Sequence, residues 1–406
     1  SMQIEGYDHS GGHLHDTAAL KNLLHHAGVQ DPTTHLPLSE PLCLGIAGGI
    51  AAGYSFCPSI PGHDYGSGVS VVGRYQVYRT DGSFYVNALR RLGAGATVRE
   101  AGSEKAAFKH LLELLESGRP AVAWCTSMGL SYLGWAGCLS MYTLVVYGVD
   151  LSRGMAFVGH RSPGAIELPL EALAWARNRV CSFKNRVLAV DPVGPLTEAQ
   201  LRSAVLEGIQ ACANDLLEPP LKTYNLPGLL EWSKAIANPK NKKGWQNVYP
   251  DGNLYPALRD VYDSIETAGT GGGLLRPMYA AFLEEAARIT DRPAFRACAA
   301  TYRSLADQWR DLAETALDDR IDPFARTRAL LQERCLRIEA EGAPAMARIE
   351  ALTAALKELE TSMRQAFPLD APASKGLLET MARKLGALHD AELQAARALH
   401  GAAGNV

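Results

Sequence analysis

The run YTLVVYGVDLSRGMAFV, residues 142–158, decides the predicted fold. Its first half is β-branched and aromatic, and its second half, MAFV, follows a turn at residues 152–154. This pattern is typical of a β-hairpin. Two further apolar runs, PAVAW at 120–124 and RVLAV at 186–190, predict additional strands of the same sheet.

Helical patterns surround these strands. Residues 17–27 carry apolar side chains at helical spacing, with Asp16 or Thr17 available as the cap at the start and Gly28 as the stop. Residues 104–117 and 170–176 predict two more helices. From residue 196 onward strand patterns disappear, residues 218–253 are predicted irregular, and amphipathic helices dominate the remainder. We therefore predict an α/β domain at 1–195 and an all-helical domain at 196–406.

Composition excludes several classes of protein. The 406 residues are 47% hydrophobic and 20% charged, which is ordinary for a globular chain with a large core. A net charge of -3 gives no general attraction to nucleic acid or to an anionic membrane surface. No run of about 18 apolar residues predicts a membrane span. The eight cysteines include no CxxC pair and there is no export signal, so we expect reduced thiols and a cytoplasmic location.

Two histidines precede the first predicted helix. In the segment GGHLHD, residues 11–16, His13 and His15 are two residues apart, so an extended backbone places both on one side, as a metal pair requires. The sequence offers no third ligand at a set spacing, so a bound metal is not expected. Asp16 is predicted to cap the helix in preference to acting as a catalytic acid.

Three segments together resemble the butirosin biosynthesis protein H family. They occur in the family's order, and the resemblance spans roughly residues 4–318. The segments are GYDHSGGHLHDTAALKNLLHHAG with LSEPLCLGIAGGIAAGYSF (6–28 and 38–56), LLESGRPAVAW with YTLVVYGVD, MAFVGHR and NRVLAVDP (between 114 and 192), and TGGGLLRPMYAAFLEEAARI with TYRSLADQWRDLAETAL (270–289 and 301–317).

The resemblance implies a papain-like, bacteriocin-peptidase-like N-terminal fold. It also implies acyl transfer from a carrier-protein thioester to an amine. In such a fold a nucleophilic cysteine begins a helix, where the helix dipole lowers its pKa, and a histidine on a strand serves as the base.

At the matched positions this sequence departs from the family pattern. The cysteine position falls on His15, or on Leu14 by the alternative alignment. The strand histidine position falls on Tyr142, and the acidic position after the next strand falls near His160. Imidazole can act as nucleophile or base and tyrosine as acid or hydrogen-bond donor, so these three residues are the main predicted site. His13, Asp16 and Cys125 are further catalytic candidates. Cys125, after PAVAW, is either a relocated thiol or a buried core residue, and the latter is preferred.

The first hypothesis is an acyl or aminoacyl transferase of antibiotic or other secondary-metabolite biosynthesis, with an altered residue set. Its partners would be an acyl or peptidyl carrier protein, whose phosphopantetheine arm donates the acyl group, and a small-molecule amine; no other cofactor is expected. A base such as His15 or His160 and an oxyanion donor would suffice. The alternatives are a non-catalytic protein that binds a carrier or a metabolite, and a histidine-based metalloenzyme or cyclase that acts on a carrier-bound intermediate. The amphipathic C-terminal helices are also compatible with a homodimer, in which they would pack against a second copy of the chain.

Overall fold

The computed structural model describes residues 1–58, 66–74, 83–126, 141–180 and 182–404. The chain forms two compact units, each built from three segments. Unit 1 comprises Ser1–Cys43, Thr80–Ala204 and Leu336–Thr353, and unit 2 comprises Leu44–Arg79, Val205–Cys335 and Ala354–Val406. The single boundary near residue 195 remains a prediction of domain organisation, since sequence periodicity does not reveal which distant segments pack together.

An antiparallel sheet forms the centre of unit 1. The strands are β1 Met2–Gln3, β4 Ala96–Arg99, β5 Ala121–Thr126, β6 Met141–Asp150, β7 Met155–Gly159, β8 Ile166–Pro169 and β9 Val187–Val190. Their order among the described residues is β4-β9-β5-β6-β7-β8, and β1 pairs with the C-terminal end of β6. The predicted hairpin is confirmed, because β6 and β7 pair from Asp150↔Met155 onward.

Apolar helix side chains pack against this sheet. In α4, Glu104–Glu116, the side chains of Leu111, Leu114 and Leu115 are buried with the strand residues Leu144 and Val146. Burial of each such leucine stabilises the fold by about 1.5–3 kcal/mol. The other helices that begin in unit 1 are α1 His15–His26, α2 Glu40–Ile46, α3 Ser83–Arg91, α5 Leu170–Asn178, α6 Glu198–Leu217 and α13 Met346–Gln365.

The helical character predicted for the C-terminal region is confirmed. The helices are α7 Leu226–Ala235, α8 Trp245–Val248, α9 Leu254–Tyr262, α10 Arg276–Thr290, α11 Ala294–Ala316, α12 Asp322–Ala340 and α14 Ala371–Ala403. Unit 2 also contains a hairpin of β2 Gly53–Phe56 and β3 Val69–Val72. Close packing explains the glycine-rich segment, since a Cβ on Gly45 would lie 2.2 Å from the ring of Phe282.

Two sequence predictions were wrong in detail. The cap of α1 is Leu14, which makes no side-chain capping bond, and the helix begins at His15; Asp16 and Thr17 lie within its first turn. The region predicted irregular, 218–253, contains α7 and α8. These helices are short, and the prolines, asparagines and glycines around them obscure their periodicity. No described helix is both long enough and apolar enough to cross a membrane.

Candidate active site

The segment before α1 is fixed by hydrogen bonds to distant parts of unit 1. The backbone N–H of Ser10 donates to Asn22 Oδ1 at 2.8 Å, and that of Gly12 donates to the carbonyl of Arg161 at 2.9 Å. The N–H of His13 donates to both carboxylate oxygens of Glu40, at 3.0 and 3.1 Å. A Cβ on Gly12 would lie 1.9 Å from Glu40 Oε2 and 2.8 Å from the Cβ of Ala18, so this close approach favours glycine. The start of α1 is thereby held against the sheet.

His15 is the first residue of α1, and its ring is half-buried against β6. The backbone N–H of Thr143 donates to His15 Nδ1 at 3.0 Å, and Thr143 Oγ1 lies 2.9 Å from the same nitrogen. Thr143 Oγ1 is also 2.6 Å from the hydroxyl of Tyr85, on α3. Thr143 and Tyr85 are both buried. The imidazole is therefore oriented by a buried polar chain.

The three residues predicted as the site lie together. The ring centroid of His15 is 4.9 Å from that of Tyr142 and 6.2 Å from that of His160. The Tyr142 and His160 centroids are 6.0 Å apart. Tyr142 is half-buried near the start of β6, and His160 is buried directly after β7. The alternation of β6 and its pairing with β7 bring these rings to the start of α1, although their catalytic roles remain a prediction.

Burial keeps two histidines neutral: His160 of this cluster and His9, which contacts its backbone. Desolvation, followed by the nearby His15 and Arg161, lowers the pKa of His160 well below its ordinary value. Desolvation likewise lowers the pKa of His9 from 6.5 to about 4. His9 Nε2 donates to the carbonyl of His160 at 2.8 Å, and the Tyr7 hydroxyl lies 2.7 Å from His9 Nδ1. His9 thus fixes the backbone from which His160 projects.

His13 and Asp16 make contacts of a different kind. The His13 ring is about half-exposed, and its Nδ1 lies 3.0 Å from Glu339. This hydrogen bond raises the pKa of His13. Glu339 also forms an ion pair with Arg161 at 2.6 Å. Asp16 is buried, and its Oδ1 accepts the backbone N–H of Thr17 at 2.9 Å. The contact of His13 with Glu339 therefore joins the start of α1 to α12, whereas the hydrogen bond between Asp16 and Thr17 is local to α1.

Cys125 has the environment of a core residue. It lies on β5 opposite Tyr142, and its side chain is fully buried within the apolar cluster of unit 1. Desolvation raises the pKa of its thiol to about 12. A thiol with such a pKa is protonated near neutral pH, whereas the thiolate is the nucleophilic form.

Sequence reasoning missed His9, Tyr85 and Thr143. A polar threonine within the apolar run YTLVVY was the one available signal, because a buried hydroxyl needs a partner. Among the residues that the structure describes, no three histidine, cysteine or acidic side chains are grouped so that they could hold a metal ion. A cavity of about 300 Å³ in unit 1 is lined by residues of α1, the start of β5 and the end of β9, including Leu23, Pro120 and Val190. Its lining does not include the ring cluster.

The fold and the ring cluster define an α/β protein whose candidate site consists of histidine and tyrosine at a helix N-terminus. Residues 15–159 match the family model described as "Butirosin biosynthesis protein H, N-terminal". Residues 171–367 match a second model, described as "Domain of unknown function (DUF4872)". Together the two matches support a family like butirosin biosynthesis protein H, and with it a role in antibiotic or secondary-metabolite biosynthesis. The comparison with curated proteins gave no match.

Proposed function

We propose that this protein forms an amide from an acyl group, held as a thioester on the phosphopantetheine arm of a carrier protein, and a small-molecule amine. The observation that carries the proposal is the convergence of His15, Tyr142 and His160 at the start of α1. The match to the butirosin biosynthesis protein H model includes His15 and Tyr142 and ends one residue before His160, and it supports an acyltransferase-like reaction. A papain-like fold and divergence from a cysteine-dependent ancestor belong to the same proposal.

The chemistry does not require an acyl-enzyme. The amine nitrogen attacks the thioester carbonyl carbon, a C–N bond forms, and the C–S bond then breaks. The departing sulfur leaves as a thiolate and takes up the proton that the nitrogen loses, so the products are an amide and the free thiol of the carrier. The protein must position the two substrates and stabilise the oxyanion that develops on the carbonyl oxygen.

The test is product formation by the full chain with acyl-loaded carrier protein and a panel of amines, followed by mass spectrometry. We expect His15→Ala to lower the rate by about 10²–10³-fold, the usual effect of removing one group that stabilises an oxyanion. The matched control is His400→Ala, an exposed histidine of α14, which should retain the wild-type rate. Undiminished product from His15→Ala would refute the proposal.

A second candidate is a protein that binds an acyl carrier without turnover. The burial of Cys125 favours this second candidate. Burial raises the pKa of the thiol, so Cys125 does not supply a cysteine nucleophile to the site. This candidate predicts that acyl-loaded carrier binds wild type and His15→Ala equally and is recovered unreacted from both. Calorimetric titration with the carrier, read together with the product assay, separates the two candidates.

A further inference from the structure

The hydrogen bonds of His15 determine which of its ring nitrogens carries the proton. A backbone N–H can only donate, and that of Thr143 lies 3.0 Å from Nδ1. Nδ1 is therefore the acceptor, and the proton of the neutral imidazole is on Nε2.

The assignment of the tautomer also fixes the direction of the hydrogen bonds between the buried hydroxyls. Since Nδ1 carries no proton, Thr143 Oγ1, at 2.9 Å, donates its own proton to Nδ1. The same oxygen then accepts from the Tyr85 hydroxyl, at 2.6 Å. The chain runs in one direction, from Tyr85 through Thr143 to His15. Both hydroxyl residues are buried, so water does not readily replace either bond.

From this geometry we propose that His15 serves as a fixed Nε2–H hydrogen-bond donor to the thioester carbonyl oxygen, with Thr143 and Tyr85 as its positioning residues. The inference rests on the proposed amide-forming function and assigns His15 a role within it. It replaces the role of base or nucleophile that the sequence suggests for His15. Either of those roles requires a lone pair on Nε2 and so a proton on Nδ1, where it would oppose the N–H of Thr143.

The location of His15 suits a donor. It is the first residue of the 12-residue helix α1, whose N-terminus carries a partial positive charge. Negative charge develops on the carbonyl oxygen as the amine attacks, and both the Nε2–H group and the helix end stabilise it. When the adduct collapses, the oxygen's electron pair re-forms the carbonyl and the C–S bond breaks, so His15 begins and ends the cycle with the same proton.

Two substitutions of similar polarity separate a donor from a base. The amide nitrogen of glutamine can occupy the position of His15 Nε2 and donate, whereas the shorter asparagine reaches only the position of Nδ1. We expect His15→Gln to retain at least about one-tenth of the wild-type kcat, and His15→Asn and His15→Ala to lose about 10²–10³-fold. Equal losses in all three variants, with each shown to be folded by circular dichroism, would overturn the proposal.

A second measurement does not depend on activity. In ¹⁵N-histidine-labelled wild-type protein, nitrogen-15 NMR distinguishes a protonated from an unprotonated ring nitrogen, and His15→Gln identifies the resonance. We expect the Nε2–H form of His15; a proton on Nδ1 would contradict the assignment. If no thioester and amine give product, the amide-forming proposal fails while the NMR result still decides the tautomer. Thr143→Val should lower kcat with little change in KM and leave the tautomer unchanged, because the backbone donor remains.

Discussion

The imidazole rings of His15 and His160 lie parallel, with their planes 4° apart and their centroids 6.2 Å apart. His15 is the first residue of α1, and His160 directly follows β7. The buried ring of His160 remains neutral because desolvation and the neighbouring His15 both disfavour its protonation. His160 therefore contributes a neutral imidazole, which adds no full positive charge beside the partial positive charge of the helix N-terminus.

The hydroxyl chain behind His15 can be tested by a double-mutant cycle. We expect Thr143→Val and Tyr85→Phe each to lower the free energy of unfolding by about 1–2 kcal/mol, because each removes a buried hydrogen bond. Since the two hydroxyls bond to each other, the effects should be non-additive by at least about 0.5 kcal/mol. Urea unfolding of the four proteins measures this coupling. Strict additivity would mean that the two hydroxyls do not interact.

Acid should destabilise the fold through His9. Its folded-state pKa is lowered from 6.5 to about 4, so below pH 6.5 the unfolded chain takes up a proton that the folded protein binds only near pH 4. Stability contributed by neutral His9 is complete above pH 6.5 and lost as pH falls towards 4, by about 3 kcal/mol at 1.36 kcal/mol per pH unit. His9→Gln should flatten the curve of unfolding free energy against pH in this window.

The control for His9 is His400→Gln, which changes an exposed ring and should leave the shape of that curve as in wild type. Part of the acid sensitivity should survive in His9→Gln, because His160 is also held neutral by burial. A curve for His9→Gln as steep as that of wild type would show that His9 is not the titrating group.

Cys125 should be chemically inert in the folded protein. Its thiol is fully buried and its pKa is raised to about 12, so iodoacetamide at pH 7.5 should not alkylate it. The exposed Cys57 should be labelled under the same conditions and serves as the internal control. Mass spectrometry of tryptic peptides reads both sites. Cys125→Ala should leave amide formation unchanged, and loss of activity in a folded Cys125→Ala protein would restore the relocated-thiol hypothesis.

Gly159 should be essential for the position of His9. A Cβ at this position would lie 2.2 Å from His9 Nδ1. Gly159→Ala should therefore displace the ring and lower the free energy of unfolding by about 1–3 kcal/mol. Gly194→Ala is the matched control, since a Cβ there meets nothing within 4 Å, and it should change stability by less than about 0.5 kcal/mol. Equal stability of the two variants would argue against the tight contact.

Much of the secondary structure could be predicted because burial of one face leaves a period in the sequence. The runs at 120–124, 142–158 and 186–190 match β5, the β6–β7 hairpin and β9. The apolar face of α13, in the region where amphipathic helices were predicted, is also buried: Ile349, Leu352, Leu356, Leu359 and Met363. Strands β4 and β8 were missed because four-residue edge segments carry too little pattern to stand out.

The candidate site was only partly accessible to sequence reasoning. A resemblance to a family singled out His15, Tyr142 and His160, and the structure brings these rings together. The family resemblance gave no indication of Tyr85 or His9, because their roles arise from contacts with residues far away in the chain. His9, for example, bonds to His160, which is 151 positions later.

The sequence by itself determined the order and type of the main elements, and it placed two histidines just before the first predicted helix. Local burial imposes periods of about 2 and 3.6 residues, and a chain records them directly. Only the tertiary structure decided which ring nitrogen of His15 accepts a hydrogen bond. Its partner, Thr143, lies 128 residues away in the sequence and is brought to His15 by strand pairing and helix packing. The same long-range packing divided the chain into units assembled from separated segments.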